Sequence, residues 1–211
     1  MWDGFELPGA IRHELRGFGQ TPLPPAGEYS HVEDLEAALG GEPAALVGAS
    51  FGAFICLKVA AAHPGLVSEL VLLDAPLHDR AWSDEIVRYQ HEEDGLLEQG
   101  DLRGAAILNA DFWLTSPEPR DRVIEMQERA FELQAESEAE ETTTETVDLG
   151  AITARSLVAV GALDRGDFHE FAERLAREIP DARHAVIDGA GHLPALEQPK
   201  ETARLVREFL A

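Results

Sequence analysis

Apolar positions along this chain gather into short blocks, and amphipathic stretches fill the intervals. The blocks are "GAIRHELR", "AALVGA", "ELVLLDA", "SLVAVGA" and "RHAVIDGA". Blocks of this length, bounded by glycine, proline or charge, predict buried parallel strands. Helical spacing lies between them. Ser30-His31-Val32-Glu33 has the form of a capping box opening "HVEDLEAALG", and Gly40-Gly41 closes that helix. The helix after Ser50 is predicted to stop at His63-Pro64-Gly65. Asp167 is expected to cap "FAERLAREIP", and the last helix, "PKETARLVREFLA", to begin at its proline. Alternating strands and helices predict an α/β fold, a mostly parallel sheet with helices on both faces.

Residues 77–149 break the alternation. They hold no convincing strand and three helix-like stretches, "SDEIVRYQHEEDGLLEQG", "DLRGAAILNADFWL" and "PRDRVIEMQERAFELQAESEAE". This predicts an inserted helical cap over the C-terminal edge of the sheet, where ligands bind in open α/β sheets. The expected division is core residues 1–76, cap 77–149 and core 150–211. The end of the insertion, "ESEAEETTTETVD", is acidic and Thr-rich and predicts a solvated loop, with a hinge for the insertion as the functional alternative.

Composition narrows the function classes. Hydrophobic residues are 45% and charged residues 27%, values of a globular chain. The net charge is −23, from 40 acidic and 17 basic side chains, so binding to nucleic acid or an anionic membrane surface is not expected. Cys56 is the one cysteine and sits in the apolar run "AFICLKVA", where a small buried residue fits. The first residues, "MWDGFELPGA", have neither the basic segment nor the apolar core of a signal peptide. A cytoplasmic location is expected. Metal and cofactor signatures are missing: there is no Walker loop, Gly-x-Gly-x-x-Gly, His-Glu-x-x-His or Cys/His cluster.

The chemistry gathers around "VGASFG". Gly48-Ala49-Ser50-Phe51-Gly52 lies between an apolar strand block and an Ala-rich helix. A serine nucleophile on a strained strand-to-helix turn needs small residues two positions before and after it, which assigns Gly48 and Gly52. It also needs a base. Of the eight histidines, His13, His31, His78, His91 and His169 are expected at the surface, His63 at a helix end and His184 at a strand start. His192 lies in the Gly-rich loop "IDGAGHLPALEQP" after the last strand, where an imidazole is presented over the strand ends. The orienting carboxylate comes from Asp74, Asp164 or Asp167, which all follow strand blocks. Asp167 is accounted for as a cap, which leaves Asp164 as the acid and Asp74 in reserve. Trp82, Phe112 and Trp113 lie in the insertion. Helical packing is their expected role, with Phe112 and Trp113 as candidates for lining an apolar acyl pocket.

These motifs together resemble the α/β-hydrolase superfamily, in its small-molecule branch with a helical cap. "LRGFG" resembles the segment after the family's fourth strand, "VGASFG" its nucleophile elbow, "VGALD" its acid loop and "GAGHLPALEQP" its histidine loop. The resemblance implies a Ser50–Asp164–His192 triad, with the Phe51 backbone N–H as one oxyanion donor and no cofactor. It also implies absences. The family's first three strands and its His-Gly-type oxyanion loop have no counterpart, and "MWDGFELPGA" looks like the helix after the third strand. An N-terminally incomplete fold is therefore expected, with a gap in the sheet where the third strand would lie and a chain that is a fragment or begins at an internal methionine. The implied function is hydrolysis of a small ester, lactone or related acyl substrate. The alternative is a catalytically silent binding scaffold.

Overall fold

A computed structural model describes residues 2, 4–5, 7–142 and 146–211. Its centre is a parallel four-stranded sheet. In chain order the elements are β1 (Glu28–Tyr29), α1 (His31–Leu39), β2 (Ala44–Ala49), α2 (Phe51–Ala62), β3 (Val67–Leu73), α3 (Asp84–Glu98), α4 (Leu102–Trp113), α5 (Arg120–Ala135), β4 (Glu140–Glu141), β5 (Arg155–Gly161), α6 (Gly166–Glu178), β6 (Ala182–Ile187), α7 (Pro194–Glu197) and α8 (Pro199–Leu210). The sheet order is β2-β3-β5-β6, with Val71 paired to Val47 on one side and to Leu157 on the other.

The two-residue period of the strands sends alternate side chains to opposite layers. Leu70 and Leu72 of β3, with Val158 and Val160 of β5, pack with Phe54, Leu57, Phe171 and Leu175 of α2 and α6. Val71 and Leu73, with Leu157 and Ala159, pack with Val206 and Phe209 of α8 and with Phe5. Helices therefore cover both faces, and strands buried on both sides read as unbroken apolar blocks. Apart from Lys58, helix α2 is apolar all round because it lies inside the protein. Helix α1 is bounded as its sequence requires: Ser30 Oγ accepts from the Glu33 N–H, and Gly40 closes it at φ 62°.

The inserted helices α3, α4 and α5 have their own apolar cluster of Ala105, Ala106, Ala110, Val123, Ile124 and Phe131. Leu193 and Leu196, from the segment after β6, pack against that cluster. Ile86 of α3 enters the main core instead. The insertion is thus wedged between the α2/α6 layer and the loop that carries His192.

Four expectations fail here. The block "GAIRHELR" forms no strand, and Ile11 is 95% exposed. A strand exists only where a neighbour takes its backbone hydrogen bonds, and none lies beside this segment among the described residues. The expected gap inside the sheet does not arise either: β2 is an edge strand and the sheet is continuous from there. The described residues of the segment 1–10 form turns rather than a helix; Met1, Asp3 and Glu6 lie outside the described residues. Phe5 is nonetheless buried, and the segment leans on the start of α8. Finally, residues 77–149 do hold a strand fragment. Glu140–Glu141 pairs with Glu28–Tyr29, two residues on each side. This strand lies inside the stretch expected as a solvated loop, residues 136–148, of which Thr143–Glu145 lie outside the described residues.

Candidate active site

The site is assembled where β2, β3, β5 and β6 all end. Ser50 follows the last residue of β2 directly and precedes the first residue of α2, at φ 49°, ψ −123°. Ser50 and Asp74 are the two non-glycine residues with positive φ among the described residues. A side chain in that region is strained and persists only where its surroundings over-determine it. Here the Ser50 N–H donates to the Leu73 carbonyl at 2.8 Å, and the Ser50 carbonyl accepts from the N–H groups of Ala53 and Phe54. The turn is so tight that a Cβ on Gly48 would lie 2.5 Å from the Gly52 oxygen and 2.7 Å from the Ala53 nitrogen. Glycine is obligatory there. Gly52 differs from expectation: a Cβ on it meets nothing within 4 Å. The Gly52 side of the turn faces open space, so sterics demand glycine on one flank only.

His192 reaches this turn from the loop after β6. Its Nε2 lies 2.8 Å from Ser50 Oγ and its Nδ1 2.9 Å from Asp164 Oδ2. Asp164 Oδ1 accepts the Arg165 N–H at 2.7 Å. Three side chains from residues 50, 164 and 192 thus form one unbroken hydrogen-bond line. Its inner part is dry: His192 is 4% exposed, and its ring centroid lies 4.3 Å from those of both Trp113 and Phe168. Burial alone would push the Asp164 carboxyl up. The hydrogen bond and charge of His192, helped by Asp74 and the Arg165 N–H, bring it below the usual carboxylate range.

Asp74 is not at Ser50's side of the imidazole. It sits behind Asp164, 1% exposed, with Oδ1 accepting the Gly161 N–H at 2.8 Å. Burial first, and then the Asp164 charge, raise its carboxyl well above the usual range. Asp167 is not the cap of its helix. Helix α6 starts one residue earlier, at Gly166, with Arg165 in the capping position and no side-chain cap bond. Asp167 Oδ1 instead accepts the Ser83 N–H at 3.0 Å and faces Arg80. A charge read locally as a cap is used to hold the chain that leads into the insertion.

Phe51 is the first residue of α2, so its N–H has no acceptor within the helix. Its ring packs edge-on against His31, which is 2% exposed rather than at the surface as expected. The His31 ring lies between Tyr29 and Phe51, and its burial lowers its tendency to protonate. Cys56 is buried as expected, and its thiol is pushed up to about 12 by burial. Among the insertion's aromatics, Trp113 touches His192 and Phe168. Phe112 stacks on Tyr89 at 4.2 Å and lies under the Arg165 guanidinium, and Trp82 packs on Phe168 and Phe171. No helix among the described residues is long and apolar enough to cross a membrane.

Three residues that the sequence reading passed over support the site. Phe168 forms one wall of the His192 slot. Arg165 donates to the Phe112 carbonyl and pairs with Glu85 at 2.7 Å, so the residue after Asp164 grips the insertion. Glu197 is buried, and its Oε1 accepts from the Gly191 N–H at 3.0 Å and, more weakly, from that of Leu193. Its Oε2 accepts from the N–H groups of Thr115 and Ser116 and the Thr115 hydroxyl. A carboxylate two residues before a proline in an otherwise apolar loop was the available signal for Glu197. A buried carboxylate needs such donors. Phe168 and Arg165 carried no comparable mark.

Known proteins share this fold. A 2-hydroxymuconate semialdehyde hydrolase of Pseudomonas putida is 26% identical over 238 residues, covering 95% of this chain and 76% of the relative. A thermophilic esterase from Thermogutta terrifontis superposes with a TM-score of 0.67 at 24% identity, over 93% of this chain and 77% of the esterase. The enol-lactonase from Burkholderia xenovorans LB400 gives 0.69 at 19% identity, over 93% and 78%. Likeness at such identity speaks for the fold alone. The sequence model described as "Alpha/beta hydrolase family" matches residues 3–205, nearly the whole chain, and on that ground the chain belongs to the alpha/beta hydrolase family.

Proposed function

We propose that this chain is a serine-dependent hydrolase acting on a small ester, lactone or related acyl substrate. The observation that carries the reading is the line Ser50 Oγ, His192 Nε2, His192 Nδ1, Asp164 Oδ2, with steps of 2.8 and 2.9 Å. Those lengths and that order are what a hydroxyl nucleophile needs from its base, and the base from its orienting acid. Ser50 Oγ attacks the acyl carbonyl while His192 Nε2 accepts its proton. His192 then returns that proton to the leaving oxygen, and a water activated by His192 releases the acyl group from Ser50. Asp164 holds the Nδ1–H tautomer and balances the imidazolium. The Phe51 N–H, unused by its helix, is the oxyanion donor. In this reading the inserted helices act as a cap and Trp113, beside His192, lines the acyl pocket. The names of the relatives, an esterase, an enol-lactonase and a semialdehyde hydrolase, point to the same range of small carbonyl substrates.

The test is labelling with a fluorophosphonate probe, with Ser50→Ala as the control. Expected is a covalent adduct on Ser50, slowed in His192→Ala and absent in Ser50→Ala. Labelling that survives Ser50→Ala overturns Ser50 as the nucleophile. A folded chain that takes no label and turns over no aryl ester supports the binding-scaffold alternative.

A further inference from the structure

Two carboxyl groups, those of Asp74 and Asp164, meet behind His192, and the proposed triad uses one of them. An oxygen of Asp74, an oxygen of Asp164 and a ring nitrogen of His192 all lie within 4.8 Å of one another. Asp164 is amply supplied for a charged group, with the His192 ring on Oδ2 and the Arg165 N–H on Oδ1. Asp74 is not. Oδ1 takes the Gly161 N–H, while Oδ2 is fully buried and no donor reaches it. The other charges that face Asp74 are the carboxylates of Asp164 and Glu197. Two carboxylates this close, shielded from water, do not both stay ionised. Asp164 has the donors that stabilise a negative charge, so the shared proton belongs on the oxygen that has none.

Taking the triad reading as given, we propose that Asp74 is a neutral carboxylic acid whose Oδ2–H donates a hydrogen bond to Asp164, making Asp74 a positioning residue for the acid of the triad. The direction in which burial and the Asp164 charge push the Asp74 carboxyl agrees with this. The arrangement does two things for the reaction. It removes one rotational freedom from Asp164, whose Oδ2 must stay on His192 Nδ1. It also adds a donor without a second negative charge, so the imidazolium formed in catalysis is not over-stabilised and still gives its proton to the leaving group. The strained backbone of Asp74, at φ 48°, is then the cost of aiming the carboxyl group inward from the end of β3.

The experiment uses two replacements that suit the backbone. Asparagine tolerates positive φ and offers an amide N–H to Asp164 and a carbonyl to Gly161. Glycine also fits that φ and removes the donor altogether. The first readout needs no turnover. Infrared difference spectra at neutral pH, recorded on Ser50→Ala and on Ser50→Ala/Asp74→Asn, should show a protonated-carboxyl C=O band that the second protein lacks. The second readout is stability against pH. The unfolded chain releases the Asp74 proton near the usual carboxylate pKa of about 4, whereas the native chain keeps it. The native state thus binds more protons, and wild-type stability relative to Asp74→Asn should fall as pH rises from there. The third is kinetic. Asp74→Gly should lose roughly 10–100-fold more kcat than Asp74→Asn, the worth of one hydrogen bond to a charged group. The acidic limb of kcat/KM should coincide in wild type and Asp74→Asn, because a neutral group replaces a neutral group. No carboxylic-acid band, a pH-independent stability difference, or an acidic limb that moves to lower pH in Asp74→Asn would each overturn the proposal, since each means an ionised Asp74. A band in a protein without esterase turnover would instead uphold the carboxyl pair and reject the hydrolase reading.

Discussion

The Trp113 indole lies against the His192 imidazole, ring centroids 4.3 Å apart and planes inclined by 36°. The His192 N–H also points to the Trp113 carbonyl at 3.4 Å. The last residue of α4 therefore meets the candidate base twice, and the position of the insertion and of the imidazole are tied together. Trp113→Ala is expected to alter the relative kcat/KM for short and long acyl chains, by opening space beside His192, and to lower kcat about tenfold by loosening the ring. Steady-state kinetics over a series of p-nitrophenyl esters checks this. A lowered melting temperature with an unchanged chain-length profile would assign Trp113 to packing alone.

Glu197 fixes the same junction from below. Its two oxygens serve Gly191 and Leu193 on one side and Thr115 and Ser116 on the other. Glu197→Gln turns one side into a donor facing donors. The expected destabilisation is roughly 2–4 kcal/mol, from buried N–H groups left without an acceptor. Urea unfolding measures it, and kcat should fall in step because Gly191 and Leu193 flank the base. A variant with wild-type stability would show that water or a neighbour replaces the carboxylate.

The two glycines of the elbow should behave differently. At Gly48 a methyl group would meet the backbone of Gly52 and Ala53 at 2.5–2.7 Å, so Gly48→Ala should be strongly destabilising or fail to fold. At Gly52 the space is open and the residue is helical, so Gly52→Ala should be neutral or stabilise by about 0.5–1 kcal/mol. Thermal melts of the pair decide the matter. Equal losses would mean that Gly52 is crowded after all.

The triad itself predicts an order of effects. Ser50→Ala should lower kcat about a million-fold, and Asp164→Asn roughly 10⁴-fold through a misoriented or wrongly tautomerised His192. Asp167→Asn keeps an acceptor for the Ser83 N–H and loses the attraction to Arg80, so it should cost about 1 kcal/mol of stability and little kcat. Burst and steady-state kinetics on an aryl ester separate the three. A larger kcat loss at Asp167 than at Asp164 would move the acid.

Much of this protein is written in local pattern. "AALVGA" is β2 residue for residue, and the blocks around Leu72 and Val158 became strands because residues buried on both faces are apolar throughout, whereas the block around Val186 forms the edge strand β6, with Val186 50% exposed. Ser30, Gly40 and Pro199 marked helix ends through their own backbone chemistry. The three members of the candidate triad were also legible, because a nucleophile turn, an acid after a strand and a histidine in a Gly-rich loop each leave a short signature in a fixed order. Only the tertiary structure decided the rest, and for one physical reason: those properties belong to pairs of groups distant in sequence. "GAIRHELR" has strand-like residues but no neighbouring strand to take its hydrogen bonds. His31 is polar and at a helix start, yet Tyr29 and Phe51 close over it. Asp167 looks like a cap until Ser83, 84 residues earlier, claims its oxygen. Asp74 and Asp164 look like rival acids in the sequence. The parallel pairing of β3 with β5 places their strand ends side by side, and only there does the low dielectric between two carboxyl groups decide which one carries the charge.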